Sequence, residues 1–138
     1  MLDKNRVLQV LKNNSLCVLS TADLSGKSES AIMVPVAKEN LEIIMCTAPE
    51  TRKLKNLSVN NKVSIVVGGF KDDPSLQIEG TVKILNDQEK IEAVTYMLSV
   101  KPEMKDYGIE GETFFIIIPN WIRCIDYSQE PNVEEINL

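Results

Sequence analysis

The sequence of 138 residues predicts a mainly β protein, folded as a small antiparallel barrel of roughly seven strands and three helices. Three observations carry that prediction. Short apolar runs recur roughly every 10 to 15 residues, and several alternate with period two. The connections between most of them are too short for crossover helices, so neighbours pair as antiparallel hairpins. A long helical pattern intrudes only once. Closure into a barrel would hide the edges that many short strands otherwise expose.

Each element has its own signal. Residues 3–13 place Val7, Leu8 and Leu11 on one helical face with Val10 at its flank, and Asn13-Asn14 end the helix. Leu16 to Leu19 is apolar on both faces, as in a strand covered on both sides. Asp23-Leu24-Ser25-Gly26 is a turn. Lys27 to Ala37 reads as a second strand whose pairing Pro35 limits, and Leu41 to Cys46 as a third. The helical period returns after Pro49, with Leu54 and Leu57 on one face, and ends at Asn60-Asn61. Val63 to Val67 is a fourth strand.

Residues 75–85 show the cleanest alternation: Leu76, Ile78, Gly80, Val82 and Ile84 face one way, and Gln77, Glu79, Thr81 and Lys83 the other. Asn86 with Glu89 three residues on resembles a capping box, and Ile91, Val94, Met97 and Leu98 give the following helix an apolar face. Residues 103–112 read as a polar loop. Thr113 to Ile118 and Trp121 to Tyr127 are the last two strands, and residues 128–138 read as a frayed acidic tail.

A hydrophobic fraction of 43% supports one sizeable core, so residues 1–138 are expected to form a single domain. The formal net charge of −5 repels phosphate backbones and anionic lipid, which makes nucleic acid and membranes poor partners. No apolar run approaches the roughly 20 residues that span a bilayer. The first ten residues lack a signal-peptide apolar region, so a soluble, cytoplasmic protein is expected.

The sequence contains no histidine. That removes Ser-His-Asp and Cys-His catalysis together with His-ligated haem and zinc. Cys17, Cys46 and Cys124 are far apart and sit in apolar stretches, so they read as buried reduced thiols, and no metal site is expected.

The most informative segment runs from Ile44 to Leu57. A strand ends at Thr47, and a short helix begins with Thr51, Arg52 and Lys53 in its first turn. Basic residues there oppose the helix dipole, and a bound anion reverses that sign. Exposed amides, two hydroxyls, a guanidinium and an ammonium would converge on one phosphate-sized volume. The alternative is a solvated basic helix face.

The order strand, Gly-Lys turn, strand, Thr-x-x-x-Thr-Arg-Lys-x-x-Asn-Leu and Asn-x-x-Val-Ser-Ile-Val-Val resembles the pyridoxamine 5′-phosphate oxidase-related family. Ile78-Glu79-Gly80-Thr81-Val82 and Ile118-Pro119-Asn120-Trp121-Ile122-Arg123 extend the likeness over about residues 5–127. The resemblance implies a flavin-binding split β-barrel, a homodimer with FMN in clefts at the subunit interface, and flavin-dependent oxidoreductase chemistry. A deazaflavin is the alternative cofactor, and a non-enzymatic flavin carrier or sensor the alternative function. Arg52 and Lys53 match the pair that holds the phosphate, with Thr47 and Thr51 as hydroxyl donors beside it. Ser30, Ala31, Ile32, Met33 and Val34 match the strand along the isoalloxazine ring. Ser75 and Gln77 fall in a strand that reaches the cofactor from the other subunit, although Gln77 also reads as an ordinary outward polar position.

Two departures bear on the reaction. Nothing after Trp121 supplies the Arg-x-His substrate motif of the oxidase, so oxidation of pyridoxamine 5′-phosphate is not expected. Glu29 stands where relatives place an imidazole or arginine. Trp121, Tyr127, Phe114 and Phe115 read either as a ring-stacking surface or as a core hairpin, and Tyr107 as a residue that closes over the site.

Overall fold

The computed structural model describes residues 1–69 and 71–138. Asp3 opens helix α1 (Lys4–Lys12) by accepting the amide of Asn5. All four apolar residues of that helix, Val7, Leu8, Val10 and Leu11, are buried in the main core. Eight strands follow: β1 (Cys17–Ala22), β2 (Ser28–Met33), β3 (Val36–Ala37), β4 (Ile43–Thr47), β5 (Lys62–Gly68), β6 (Ser75–Ile84), β7 (Thr113–Ile125) and β8 (Val133–Asn137). Helix α2 (Arg52–Val59) separates β4 from β5, and α3 (Asp87–Val100) separates β6 from β7. Asn86 and Glu89 form the capping box of α3.

All pairings are antiparallel, in the order β2-β1-β5-β6-β7-β4-β3, with β8 added to β7. The two ends of that order, β2 and β3, are neighbours in the chain, separated only by Val34 and Pro35. The sheet therefore curls until its ends meet, but the seam is covalent and not hydrogen-bonded. This is a split barrel. The expected single strand from Lys27 to Ala37 is thus two strands at opposite ends of the sheet. Pro35 has no amide to donate and restricts Val34, so the ladder stops there.

The barrel interior holds Leu19, Met45, Ile65, Ile78, Phe115, Ile117 and Ile122, closed off by α1. A second cluster lies outside the sheet, where Ala93 and Met97 of α3 pack with Val36, Ile44, Ile109 and Phe114. Ala93 and Met97, one turn apart, carry the buried contact, and Ile91 of the expected apolar face is exposed. Burial of Phe114 and Phe115 places them in these cores and not on a stacking surface. The expected polar loop over residues 103–112 is two short 3-10 helices, Pro102–Tyr107 and Ile109–Gly111, turned at left-handed Gly108 so that Ile109 enters the second core.

Three further expectations change. The two predicted final strands are one continuous strand, β7, because Pro119 falls opposite Gly80 at a bulge where the ladder needs no amide from it. A Cβ on Gly80 would lie 2.5 Å from the carbonyl oxygen of Ile118, so the close approach requires glycine. The tail is not frayed over its whole length, since Val133–Asn137 pairs with Trp121–Ile125 and buries Ile136. The outer face of β1 is open: Cys17 and Leu19 point inward, but Leu16 and Val18 are exposed. Among the described residues there are eight strands, against the roughly seven expected.

Candidate functional site

The split leaves two strand edges unpaired. Among the described residues, β2 pairs only with β1, and β4 pairs with β3 only through Ile44 and Ile43, so Met45 to Thr47 have no ladder partner there on that side. Backbone donors and acceptors along these edges are available to a ligand.

Helix α2 guards one end of the split. The chain leaves β4 at Thr47 and turns through Glu50, whose φ of 71° lies in the left-handed region. That turn brings the Thr51 hydroxyl within 3.3 Å of the Thr47 hydroxyl. Thr51 is the N-cap residue, yet its side chain makes no hydrogen bond to the helix amides, and the first turn contains no acidic residue. The start of α2 is thus electropositive three times over, through uncapped amides, Arg52 and Lys53. Lys53 Nζ donates to Thr47 Oγ1 at 3.0 Å, tying the ammonium to the end of β4.

Across the split, Arg52 Nε stands 3.5 Å from Glu29 Oε2. Asn56, one turn further along α2, donates to Thr21 Oγ1 at 3.1 Å and to Glu29 Oε2 at 3.4 Å. Leu19, Thr21, Glu29, Ser30, Ala31, Arg52 and Lys53 enclose a cavity of about 120 Å³. Asn56 was not among the predicted site residues, although its signal was present: it follows Arg52 by four residues and Lys53 by three, which places all three along one side of a helix.

The other end of the same strand borders a larger cleft of about 380 Å³. Its walls are mostly apolar, including Leu16, Ile32, Met33, Val34, Met104 and Ile109, with Lys101, Glu112, Tyr107 and Cys46 among them. Burial pushes the Cys46 thiol up to about 12, and the neighbouring Glu112 carboxylate adds to the effect. Cys46 is therefore a half-buried thiol on a cleft wall, in contrast to the fully buried Cys17 and Cys124. Tyr107, expected to close over the site, lines this cleft, whereas Lys101 and Ile109 beside it were not among the expected site residues.

Strand β2 accordingly links the cavity beside Arg52 and Lys53 to an apolar cleft. Residues 29–31 border the first and residues 32–34 the second. At about 3.3 Å per residue the two ends are roughly 16 Å apart. Ser30, Ala31, Ile32, Met33, Val34, Arg52 and Lys53 all line one of the two cavities, and Thr47 and Thr51 join through Lys53. Ser75 and Gln77 line neither. They sit on β6, opposite Gly68 and Val66 on one side and Ile125 and Arg123 on the other.

Known proteins place this architecture. No curated protein matches the sequence. Among solved structures, the chain superposes on a protein of unknown function, Atu2129, from Agrobacterium tumefaciens with a TM-score of 0.75 and 16% identity, over 86% of this chain and 55% of that one. A heme binding protein from Mycobacterium smegmatis gives 0.78 and 12%, over 99% and 59%. The chain thus spans little more than half the length of those two proteins. The General Stress Protein 26 from Bacillus anthracis gives 0.75 and 19%, with 98% of each chain covered. At these identities the structures establish a shared fold. The sequence itself matches the pyridoxamine 5′-phosphate oxidase family model over residues 4–123, so the chain belongs to that family.

Proposed function

We propose that the chain binds FMN along the open edge of β2 and works as a flavin-dependent oxidoreductase in a homodimer. The observation that carries this reading is the anion seat at the start of α2, joined by one unpaired strand edge to an apolar cleft. A phosphorylated arm ending in a flat ring needs both ends and that spacing. Arg52 and Lys53 would hold the phosphate, with the hydroxyls of Thr47 and Thr51 beside them, and Ser30 to Val34 would run along the flavin from the phosphate end to the ring. The bound flavin would supply electron transfer, while this chain binds, orients and excludes water.

The outer face supports a second copy. Ile32, Val18, Val66 and Gln77 are successive cross-strand neighbours on β2, β1, β5 and β6, and the three apolar residues among them are exposed. A partner on that row would cover the split and meet Gln77 directly. Haem is the less favoured ligand: the sequence has no histidine to supply an imidazole.

Titration of FMN and riboflavin tests the phosphate seat. A charge-assisted hydrogen bond contributes about 1.5–3 kcal/mol, so Arg52→Ala is expected to weaken FMN roughly 10- to 150-fold and riboflavin far less. Equal losses for the two flavins, or none, would move the phosphate elsewhere. Colour in the protein as purified, followed by anaerobic reduction with a nicotinamide cofactor and turnover of an acceptor, separates an enzyme from a carrier.

A further inference from the structure

We propose that Glu29 is an internal counter-ion of the phosphate seat, and that it keeps phosphorylated flavin weakly bound and exchangeable. The proposal rests on the reading of Arg52 and Lys53 as phosphate ligands. Its own basis is the carboxylate that already occupies one side of that seat.

Glu29 is held there by design of the strand pair. It faces Thr21 of β1 in the ladder, and its side chain turns toward α2 with 17% of its surface exposed. Asn56 donates to both Thr21 and Glu29, so the carboxylate oxygen that faces the Arg52 guanidinium also accepts from the buried Asn56 amide. Arg52 is 77% exposed and free to turn, whereas Glu29 is not. A ligand phosphate must therefore either draw the guanidinium away from Glu29 or lie beside a fixed negative charge. Two cations and one carboxylate leave the seat with a net charge of about +1, against about −1.5 to −2 on a phosphate monoester near neutral pH.

The consequence is selective. Glu29 opposes a phosphorylated flavin and leaves its neutral, unphosphorylated counterpart nearly untouched. A charge within about 4–6 Å shifts a charged partner's equilibrium by roughly one to three decades, and partial exposure puts this seat at the low end. Removing the charge should thus raise the preference for FMN over riboflavin by about tenfold.

Glu29→Gln keeps an acceptor for Asn56 and removes only the charge; Glu29→Asp keeps the charge. Flavin fluorescence quenching gives dissociation constants of FMN and riboflavin for wild type, Glu29→Gln, Glu29→Asp and Arg52→Ala, with thermal unfolding confirming that each folds. Expected are an FMN constant about tenfold lower in Glu29→Gln, a riboflavin constant changed less than twofold, and a wild-type ratio in Glu29→Asp. An unchanged FMN constant in Glu29→Gln, or equal changes for both flavins, would overturn the role of Glu29. So would a gain in Glu29→Asp as large as in Glu29→Gln. If Arg52→Ala weakens FMN selectively in the same experiment, the phosphate seat stands while the counter-ion falls. If it does not, the seat itself is lost and Glu29 with it.

Discussion

Cys17, inside β1, and Cys46, on the cleft wall, are the groups whose chemistry burial alters most. Desolvation raises both thiols to about 12; Lys101 partly opposes the shift at Cys17, and Glu112 reinforces it at Cys46. At pH 8 only about one thiol in ten thousand would then be thiolate, so both should react slowly with alkylating reagents in the native protein. The same shifts fix a sign for alkaline stability. An unfolded thiol loses its proton near pH 8.5, whereas the native thiols keep theirs to about 12. Between those values the unfolded chain binds fewer protons, so the thiols' contribution is complete below about pH 8.5 and is lost as pH rises toward 12. Urea midpoints at pH 8 and pH 10.5 check this: a Cys17→Ala/Cys46→Ala variant should lose less stability between them than wild type does. An equal loss would assign the alkaline limb to other groups. The sequence already placed these thiols in apolar runs, but it could not show that Cys46 faces the cleft, since that depends on where β4 ends its pairing with β3.

At the scale of elements, the bulge between β6 and β7 is the most demanding piece of geometry. Gly80 faces Pro119 where the register shifts, and Ile118 and Pro119 close over it at distances a methyl group cannot share. Gly80→Ala should cost about 1–3 kcal/mol, the usual range for overpacking, and denaturant unfolding would show a lower midpoint with an unchanged slope. A neutral substitution would mean that β7 can shift at Pro119. This bulge also shows what was legible. Alternation along residues 75–85 disclosed β6 and its inward row from Leu76 to Val82, although Ile84 at the end of that row is exposed, and period 3.6 disclosed α1 with its four buried residues. Pro119 suggested a break, because a proline's cost in a strand depends on the partner opposite it, which only the register supplies. Strand β8 has a weak sequence signal for a related reason: Ile136 is its one buried side chain, set between Glu135 and Asn137. At the site, the Arg-Lys pair was legible from the start of one helix, and Asn56 was overlooked although it shares that helix, whereas Lys101 and Ile109 reach the cleft only through the packing of α3 and the 3-10 helices.

For the molecule as a whole, the proposed homodimer follows from what the barrel leaves uncovered. The interior takes every second residue of β1, β2 and β5, and the alternate residues Val18, Ile32 and Val66 form an apolar row beside the split, with Leu16 next to it. Isolated surface apolar residues need no explanation, but a contiguous row at the rim of a cleft marks an interaction surface. A stable homodimer buries about 2,000 Å² or more, with a core depleted in charge. A charge placed in that row should thus oppose association while leaving the barrel interior intact. Wild type is expected to scatter light as about twice its 15.5 kDa mass. Val66→Glu should scatter as a monomer, retain the β-rich circular dichroism of the parent, and bind FMN at least tenfold more weakly, because the cleft loses its outer wall even though Arg52 and Lys53 are unchanged. The coupling of the two losses is the decisive point. A Val66→Glu monomer with wild-type FMN affinity would mean that one chain completes the site alone, and a Val66→Glu dimer would place the interface on another face of the barrel.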